Sequence, residues 1–413
     1  MAARTQMTPL SLTIFLATYA GVAIGRVPGL ALDRTGIALL GAIAMIISGV
    51  IPLDTAVDAV HAPTILLLYA LMVLSAQLRL GGFYTWLALQ LGKMPQRPGR
   101  FLLITMLVSA GLSAVLSNDI ICLAFTPVLA LTLLRSGLNP VPFLIGLAVA
   151  SNIGSAATLI GNPQNMLIGQ VGRLPFDGFL AWCAPPALLG LLLGFGWILR
   201  AYRGKFRGPT YGYSAEPAKD QWPDFNRYQS GKGILAVGML ILFFLTPVPR
   251  EYAAIGIAGV LLCSRRMRSR HILGLVDWHL LTLFCALFIV IQGVVEANLP
   301  ERLIDALYHR GIHLRSLPML AGVSAVMSNV VSNVPAAMLL IRFLDPGNPV
   351  EWYTLAVSST FAGNLVVIGS IANLIVVEQA RTCGVEITFR EHARVGIPVT
   401  LLSLLALVAW IYV

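Results

Sequence analysis

The chain has 413 residues, 57% hydrophobic and 11% charged, with a mean hydropathy of +0.82. Soluble chains carry about 25% charged residues, and a globule of this length could not cover its surface with so few. A cytosolic enzyme, a disordered or coiled-coil chain and a secreted disulfide scaffold are thereby excluded, and an all-α polytopic membrane protein is expected. The net charge is +10, and 24 of the 28 basic residues are Arg. Basic loops on the cytoplasmic side of a membrane account for this bias, and nucleic-acid binding is not needed. Cys122, Cys183, Cys263, Cys285 and Cys383 lie far apart in apolar segments without CxxC or Cys/His spacing, so inert thiols are expected and no structural metal. The first apolar stretch has no small-residue cleavage site and reads as a retained span.

A hydrocarbon core takes roughly 20 apolar residues per helix. In chain order, 8–25, 36–52 and 62–80 meet or approach that length. Block 98–135 reads as two apolar half-helices meeting at a polar tip, Ser117-Asn118-Asp119. Segment 140–170 is too long for one simple span. It carries the polar run Ser151, Asn152, Gly154, Ser155, Thr158 and then Gly161-Asn162-Pro163-Gln164-Asn165. Pro163 removes a donor and disfavours helix at Asn162, which predicts a broken span. Stretch 176–199 follows, and then the hydrophilic segment 202–232.

The second half repeats this order: 233–249, 251–264 and 278–297, a hairpin block 315–344, a long segment 350–379 and a last stretch 393–413. The second tip is the run from Ser328 to Pro335, containing Asn329, Ser332 and Asn333. The second long segment carries Gly363-Asn364, Gly369-Ser370 and Asn373. Half-helices of about 15–18 residues rise only about 22–27 Å, which suits re-entrant hairpins. Exposed backbone at such tips requires surrounding protein or a wet cavity.

Between Arg200 and Lys232 seven basic residues face three acids, so 202–232 is expected to be a cytoplasmic linker. Propagated along the chain, this places both termini outside the plasma membrane (a bacterial inner membrane) and the cluster Arg265, Arg266, Arg268, Arg270 inside. Residues 1–201 and 233–413 then hold five crossings each. An odd number gives the halves opposite orientation.

The halves also match in sequence. AGLSAVLSN at 110–118 recurs as AGVSAVMSN at 321–329, with seven identities in nine, and TLIGNPQNMLI at 158–168 answers VVIGSIANLIV at 366–376. Inverted repeats with an odd crossing number are the pattern of secondary transporters, whose substrate site sits between the repeats near the midplane. Interrupted helices free N–H and C=O groups that can hold polar solutes and ions. Helix–helix packing is the competing role for Gly, Ser, Thr and Asn, but here the polar runs recur at symmetric places. The candidate site residues are therefore Ser117, Asn118 and Asp119; Asn152, Ser155, Thr158, Asn162 and Asn165; Ser332 and Asn333; and Asn364, Ser370 and Asn373. The string match aligns Asn329 with the first tip, but we take Asn333, because Pro335 is suited to starting the return half-helix. Asp119 is the only acid at either tip, and a carboxylate at membrane depth is costly enough to mark a functional group.

The strings SNDIICLAFTP (117–127), SNIGSAATLIGNPQN (151–165), SNVPAAML (332–339) and GNLVVIGSIANLIVVE (363–378) resemble the ion transporter superfamily, and within it the ArsB/NhaD-type permeases, over nearly the whole chain. The resemblance implies a scaffold of early spans, a transport domain of hairpins and broken spans, a homodimer, an elevator-like motion and, on the cytosolic side, an ATPase of the ArsA type that would dock on 202–232. In the family's sodium-coupled carboxylate branch both tips read Ser-Asn-Thr. Here the third position is Asp119 in one tip and Val330 or Val334 in the other, which argues against a sodium–dicarboxylate carrier.

No Lys or Arg lies in either tip or in the polar runs of the broken spans. A neutral, donor-rich solute suits such a site, and efflux of arsenite or antimonite coupled to protons ranks first. Sodium or lithium exchange for protons comes second, small-carboxylate transport third, and a passive channel is the alternative of a different class. No GxxxxGK[ST] loop, HExxH or paired catalytic group occurs, so no enzyme is expected, and no cofactor beyond the coupling ion.

Overall fold

The computed structural model describes residues 2–25, 29–93, 97–116, 118–207, 223–264, 267–297 and 316–413. Among them every extended element is a helix, with one isolated backbone bridge between Leu138 and Arg207. The first half contains α1 (Ala2–Ile24), α2 (Arg34–Ile47), α3 (Leu53–Ala59), α4 (Ala62–Leu80), α5 (Phe83–Gly92), α6 (Pro98–Val115), α7 (Asn118–Arg135), α8 (Val141–Ser155), α9 (Pro163–Val171) and α10 (Phe176–Ala201). The second contains α11 (Arg227–Phe244), α12 (Arg250–Leu262), α13 (Ser269–Leu273), α14 (Trp278–Glu296), α15 (Leu317–Val331), α16 (Asn333–Leu340), α17 (Pro349–Ala362), α18 (Ile371–Thr382) and α19 (Phe389–Ile411). The middle of the hydrophilic segment, 208–222, and two members of the arginine cluster, Arg265 and Arg266, lie outside the described residues.

Six described helices, α4, α6, α7, α10, α14 and α19, are long and apolar enough to cross a membrane on their own. The two long segments break where their polar runs predict. Residues 156–162, which include Gly161 and Asn162, separate α8 from α9, and the stretch from Gly363 to Ser370, with a short 3-10 turn at Val367–Gly369, separates α17 from α18. Short helices α3 and α5 have no counterpart in the sequence reading, because neither is long enough to register as a span.

Sequence character decides which helices are central. From Val141 to Ser155 every residue of α8 is buried, and so is every residue of α17 from Glu351 to Ala362. Apart from Glu351 neither helix carries a charged residue, so neither has a solvated face to turn outward. Around this pair the packing is matched: α8 lies against α6 and α10, α17 against α15 and α19, and α10 against α19. The early spans cross over between halves, with α4 against α12 and α14 against α2. Residues 1–201 and 233–413 therefore interleave. Where α6 and α8 cross, a Cβ at Gly154 would run into the Ala110 backbone, so the two helices can approach this closely only with glycine there.

Polar side chains close the helix starts. Asp33 Oδ1 accepts from Gly36 N (2.8 Å) for α2, Asp277 Oδ1 from Leu280 N (2.9 Å) for α14, and Thr388 with Glu391 forms a capping box for α19. Such caps contribute about 1 kcal/mol each.

Candidate functional site

The site grows from two tips and two breaks. At the first tip Leu116 is extended and α7 starts at Asn118, with Asp119 in its first turn. Ser117, between them, lies outside the described residues. At the second tip the chain reverses at Ser332, whose φ of 77° and ψ of 158° are rare for a residue with a side chain. Asn333 then starts α16 as Asn118 starts α7. The string repeat, by contrast, aligns Asn118 with Asn329, which is still inside α15. One further helical turn in α15 separates the two registers. Asn329 turns away, its Nδ2 donating to Ala325 O and Ala362 O at 3.0 Å each.

The breaks are braced from within. Asn162 is extended and caps α9, its Oδ1 accepting from Asn165 N at 2.9 Å. Ser370 does the same for α18, its Oγ accepting from Ala372 N at 3.2 Å. The third residue of each second half-helix reaches back across its break. Asn165 Nδ2 donates to Ser155 O (3.1 Å) and Thr158 O (3.0 Å), and Asn373 Nδ2 to Gly363 O (2.8 Å) and Val366 O (3.1 Å). Each asparagine thus satisfies carbonyls orphaned where a helix ends inside the protein.

Asn152 joins these parts. Its Nδ2 donates to Asn364 Oδ1 (2.9 Å) and Asn373 Oδ1 (3.0 Å), and its Oδ1 accepts from Asn118 Nδ2 (3.3 Å) and Ser370 Oγ (2.9 Å). First tip, first break and second break are thereby tied to one amide. Thr360 makes the reverse link, its Oγ1 accepting from Asn162 Nδ2 (3.2 Å) and Gln164 Nε2 (3.3 Å). Ser151 Oγ, 2.7 Å from Ser113 Oγ, also donates to Asn118 O.

Both tips and both breaks line one cavity of about 50 Å3. Of the residues expected from sequence, Asn118, Asp119, Asn152, Asn162, Ser332, Asn333 and Ser370 form its wall. Ser155, Thr158, Asn165, Asn364 and Asn373 do not reach it: they are buried behind it as braces, Ser155 between Asn152 O and Asn162 Nδ2, and Thr158 on Ala114 O. Thr360 and Gln164 belong to the wall although neither was singled out. The run Ser358-Ser359-Thr360 ahead of Gly363 was the available signal for Thr360.

Asp119 is the only charged side chain among the described wall residues, and no Lys or Arg is among them. On two of the wall residues a buried amide oxygen, Asn118 Oδ1 and Asn333 Oδ1, has no hydrogen-bond partner within the protein. Buried polar atoms are seldom left so. Unpartnered acceptors on residues that share a wall with a carboxylate are suited to a hydroxyl-bearing solute or a small cation once a small rotation brings them to the cavity. Cys122, one turn beyond Asp119, is buried, its carbonyl accepting from Thr126 Oγ1 at 2.6 Å.

A polar cavity between two helix tips and two interrupted helices, inside a chain of apolar spans, defines a membrane-embedded secondary transporter. The chain belongs to the citrate transporter family CitMHS, whose profile matches residues 19–362. It is similar to an uncharacterized transporter of Mycobacterium tuberculosis, 30% identical over 96% of both chains. It is also similar to the silicon efflux transporter LSI3 of rice, 28% identical over 91% of both. In fold it resembles the YdaH transporter of Alcanivorax borkumensis, with a TM-score of 0.58 at 14% identity and 98% of each chain covered.

Proposed function

We propose that this chain is a proton-coupled exporter of a neutral metalloid hydroxide, with arsenite and antimonite as the substrates and Asp119 as the proton carrier. The observation that carries this reading is the pair of unpartnered amide oxygens, Asn118 Oδ1 and Asn333 Oδ1, on residues that share a cavity wall with Asp119 and, among the described residues, with no Lys or Arg. A trihydroxide brings three O–H donors and no charge. Each hydrogen bond it makes is worth about 0.5–1.5 kcal/mol net, which binds the solute and still lets it leave. A carboxylate brings only acceptors, and a buried charge without a countercharge costs several kcal/mol.

Size points the same way. One water-sized group needs about 10–15 Å3 of such volume, so a cavity of about 50 Å3 has room for the three hydroxyls of arsenite. The rice relative's name, a silicon efflux transporter, concerns an element whose hydroxide is also neutral. The same oxygens favour a second reading, sodium or lithium exchange for protons, with Asp119 and the two amide oxygens as cation ligands.

On this reading residues 1–201 and 233–413 are inverted repeats joined by a cytoplasmic linker, the chain sits in the plasma membrane with both termini outside, and it works as a homodimer. A cytosolic ATPase of the ArsA type would dock on 202–232. The deciding experiment is expression in cells lacking arsenite, antimonite and sodium export. Growth on arsenite or antimonite is expected. Resistance to lithium or sodium alone promotes the cation reading, and sodium-dependent uptake of succinate or citrate without metalloid flux overturns both.

A further inference from the structure

Asp119 borders a second, larger cavity of about 190 Å3. Its walls are mostly apolar, with Leu68, Leu71 and Leu74 of α4 facing side chains such as Leu116, Ile120 and Met166, and its charged groups are Asp119, Arg79 in the last turn of α4 and Asp277 at the start of α14. The two cavities share Asp119, Pro163 and Leu280, so Asp119 stands in the wall between them. The other elements packed on α7 bring no competing charge close by. Helices α5 and α8 contain no charged residue, Arg100 lies in the first turn of α6, and Glu378 and Arg381 of α18 are exposed at its far end. On α7 itself Arg135 is at the opposite end, and the nearest titratable neighbour, Cys122, is buried.

Resting on the reading of Asp119 as the proton carrier, we propose that this larger chamber is the coupling-proton route, with Asp277 as its proton acceptor and Arg79 as its positioning residue. In this scheme Asp119 meets the substrate in the small cavity and exchanges its proton in the large one. The carboxyl releases the proton to a water in the chamber, the Asp277 carboxylate is the next acceptor, and the Arg79 guanidinium stabilises the carboxylate left behind. Reloading occurs from the substrate side, so each cycle moves one proton through Asp119. With the orientation expected from loop charge, Arg79 and Asp277 lie toward the cytoplasm, where inward-moving protons must be released.

The test uses the full-length protein in liposomes. Asp277→Asn keeps the α14 cap, since Asn and Asp cap equally well, and removes only the proton acceptor. Metalloid flux driven by a pH gradient is expected to fall at least tenfold, while counterflow exchange at equal pH stays within twofold of the unmodified protein. Loss of both to the same degree, or of neither, overturns the proposal. Arg79→Gln should show the same split. A second readout needs no substrate: Leu116→Cys, on the chamber wall, should react with a charged, membrane-impermeant thiol reagent beyond the level of the unmodified protein. Absence of that added labelling refutes a water-filled route even if the metalloid reading fails, and labelling with no metalloid flux refutes the metalloid reading alone.

Discussion

Asn152 and Asn373, 221 residues apart in the chain, share a hydrogen bond in which Asn152 Nδ2 donates to Asn373 Oδ1 at 3.0 Å. Each residue belongs to a different broken span, and Asn373 is at the same time the brace of its own break. The cavity and the helix interruptions are therefore one hydrogen-bonded unit. A change in how the solute is held at Asn118 or Ser370 is felt at both breaks through a single amide.

Asn152→Ala should consequently be among the most damaging single changes in the polar network. It leaves Asn364 Oδ1 and Asn373 Oδ1 without their donor, and a buried polar atom without a partner costs about 1–3 kcal/mol. A loss of about 2–4 kcal/mol in stability is expected, together with loss of transport. Thermal unfolding in detergent, followed by size-exclusion chromatography, measures the first part. An unchanged midpoint would show that the network is not under tension.

Asp119→Asn separates charge from structure at the first tip. Asparagine fills the same place in the first turn of α7 but cannot carry a proton. Gradient-driven flux should drop at least tenfold with the elution profile and thermal midpoint unchanged. Flux at the level of the unmodified protein would remove Asp119 from the coupling mechanism.

Much of this architecture was legible because breaks in membrane helices have few chemical causes. Pro163 and the Gly-Asn and Gly-Ser pairs announce both interruptions, and the apolar lengths place the main helices, although stretches such as 233–249 are offset from the helix itself, Arg227–Phe244. Three things were hidden. Helices α3 and α5 are too short to show a membrane period. The extra turn of α15 is invisible in the repeated string, because Ser-Asn occurs twice, at Ser328-Asn329 and again at Ser332-Asn333. Sequence also cannot separate wall from brace: Asn162 and Asn165 are three residues apart with the same side chain, yet only Asn162 borders the cavity. Which of them does so depends on the rotation of α9 against α17, a tertiary fact.

Ser332 is held at a φ of 77° and a ψ of 158°. Residues with a Cβ in that region cost of order 1–3 kcal/mol, and glycine does not. Ser332→Gly should therefore stabilise the protein by about 1 kcal/mol, and Ser332→Val should destabilise it by a similar amount or more. The two variants read opposite signs in the same thermal assay. Destabilisation by Ser332→Gly would mean that the hydroxyl contributes more than the strain costs.

Gly154→Ala tests the close crossing of α6 and α8. The added methyl meets the Ala110 backbone, which cannot rotate away as a side chain could. Overpacking of this kind costs typically about 1–3 kcal/mol, and parting the helices would also shift Asn118 relative to Asn152. Lower thermal stability and weakened transport are expected together, whereas Gly111→Ala, with nothing near its Cβ, should change neither.

The last prediction concerns competition. If the cavity selects by donor count and neutrality, other small neutral hydroxides should compete with arsenite for efflux, because each can offer O–H groups to Asn118 Oδ1, Asn333 Oδ1 and Asp119. Citrate and succinate should not compete at any concentration that leaves the liposomes intact, since each would bury charge against Asp119 with no Lys or Arg among the described wall residues. Asn333→Lys should reverse part of this preference. It adds a cation at the second tip, so carboxylate inhibition should appear as arsenite flux falls, by tenfold or more if the ammonium pairs with Asp119. Inhibition of the unmodified protein by citrate would instead place the family's named substrate class in this cavity and require a cation that the wall does not supply.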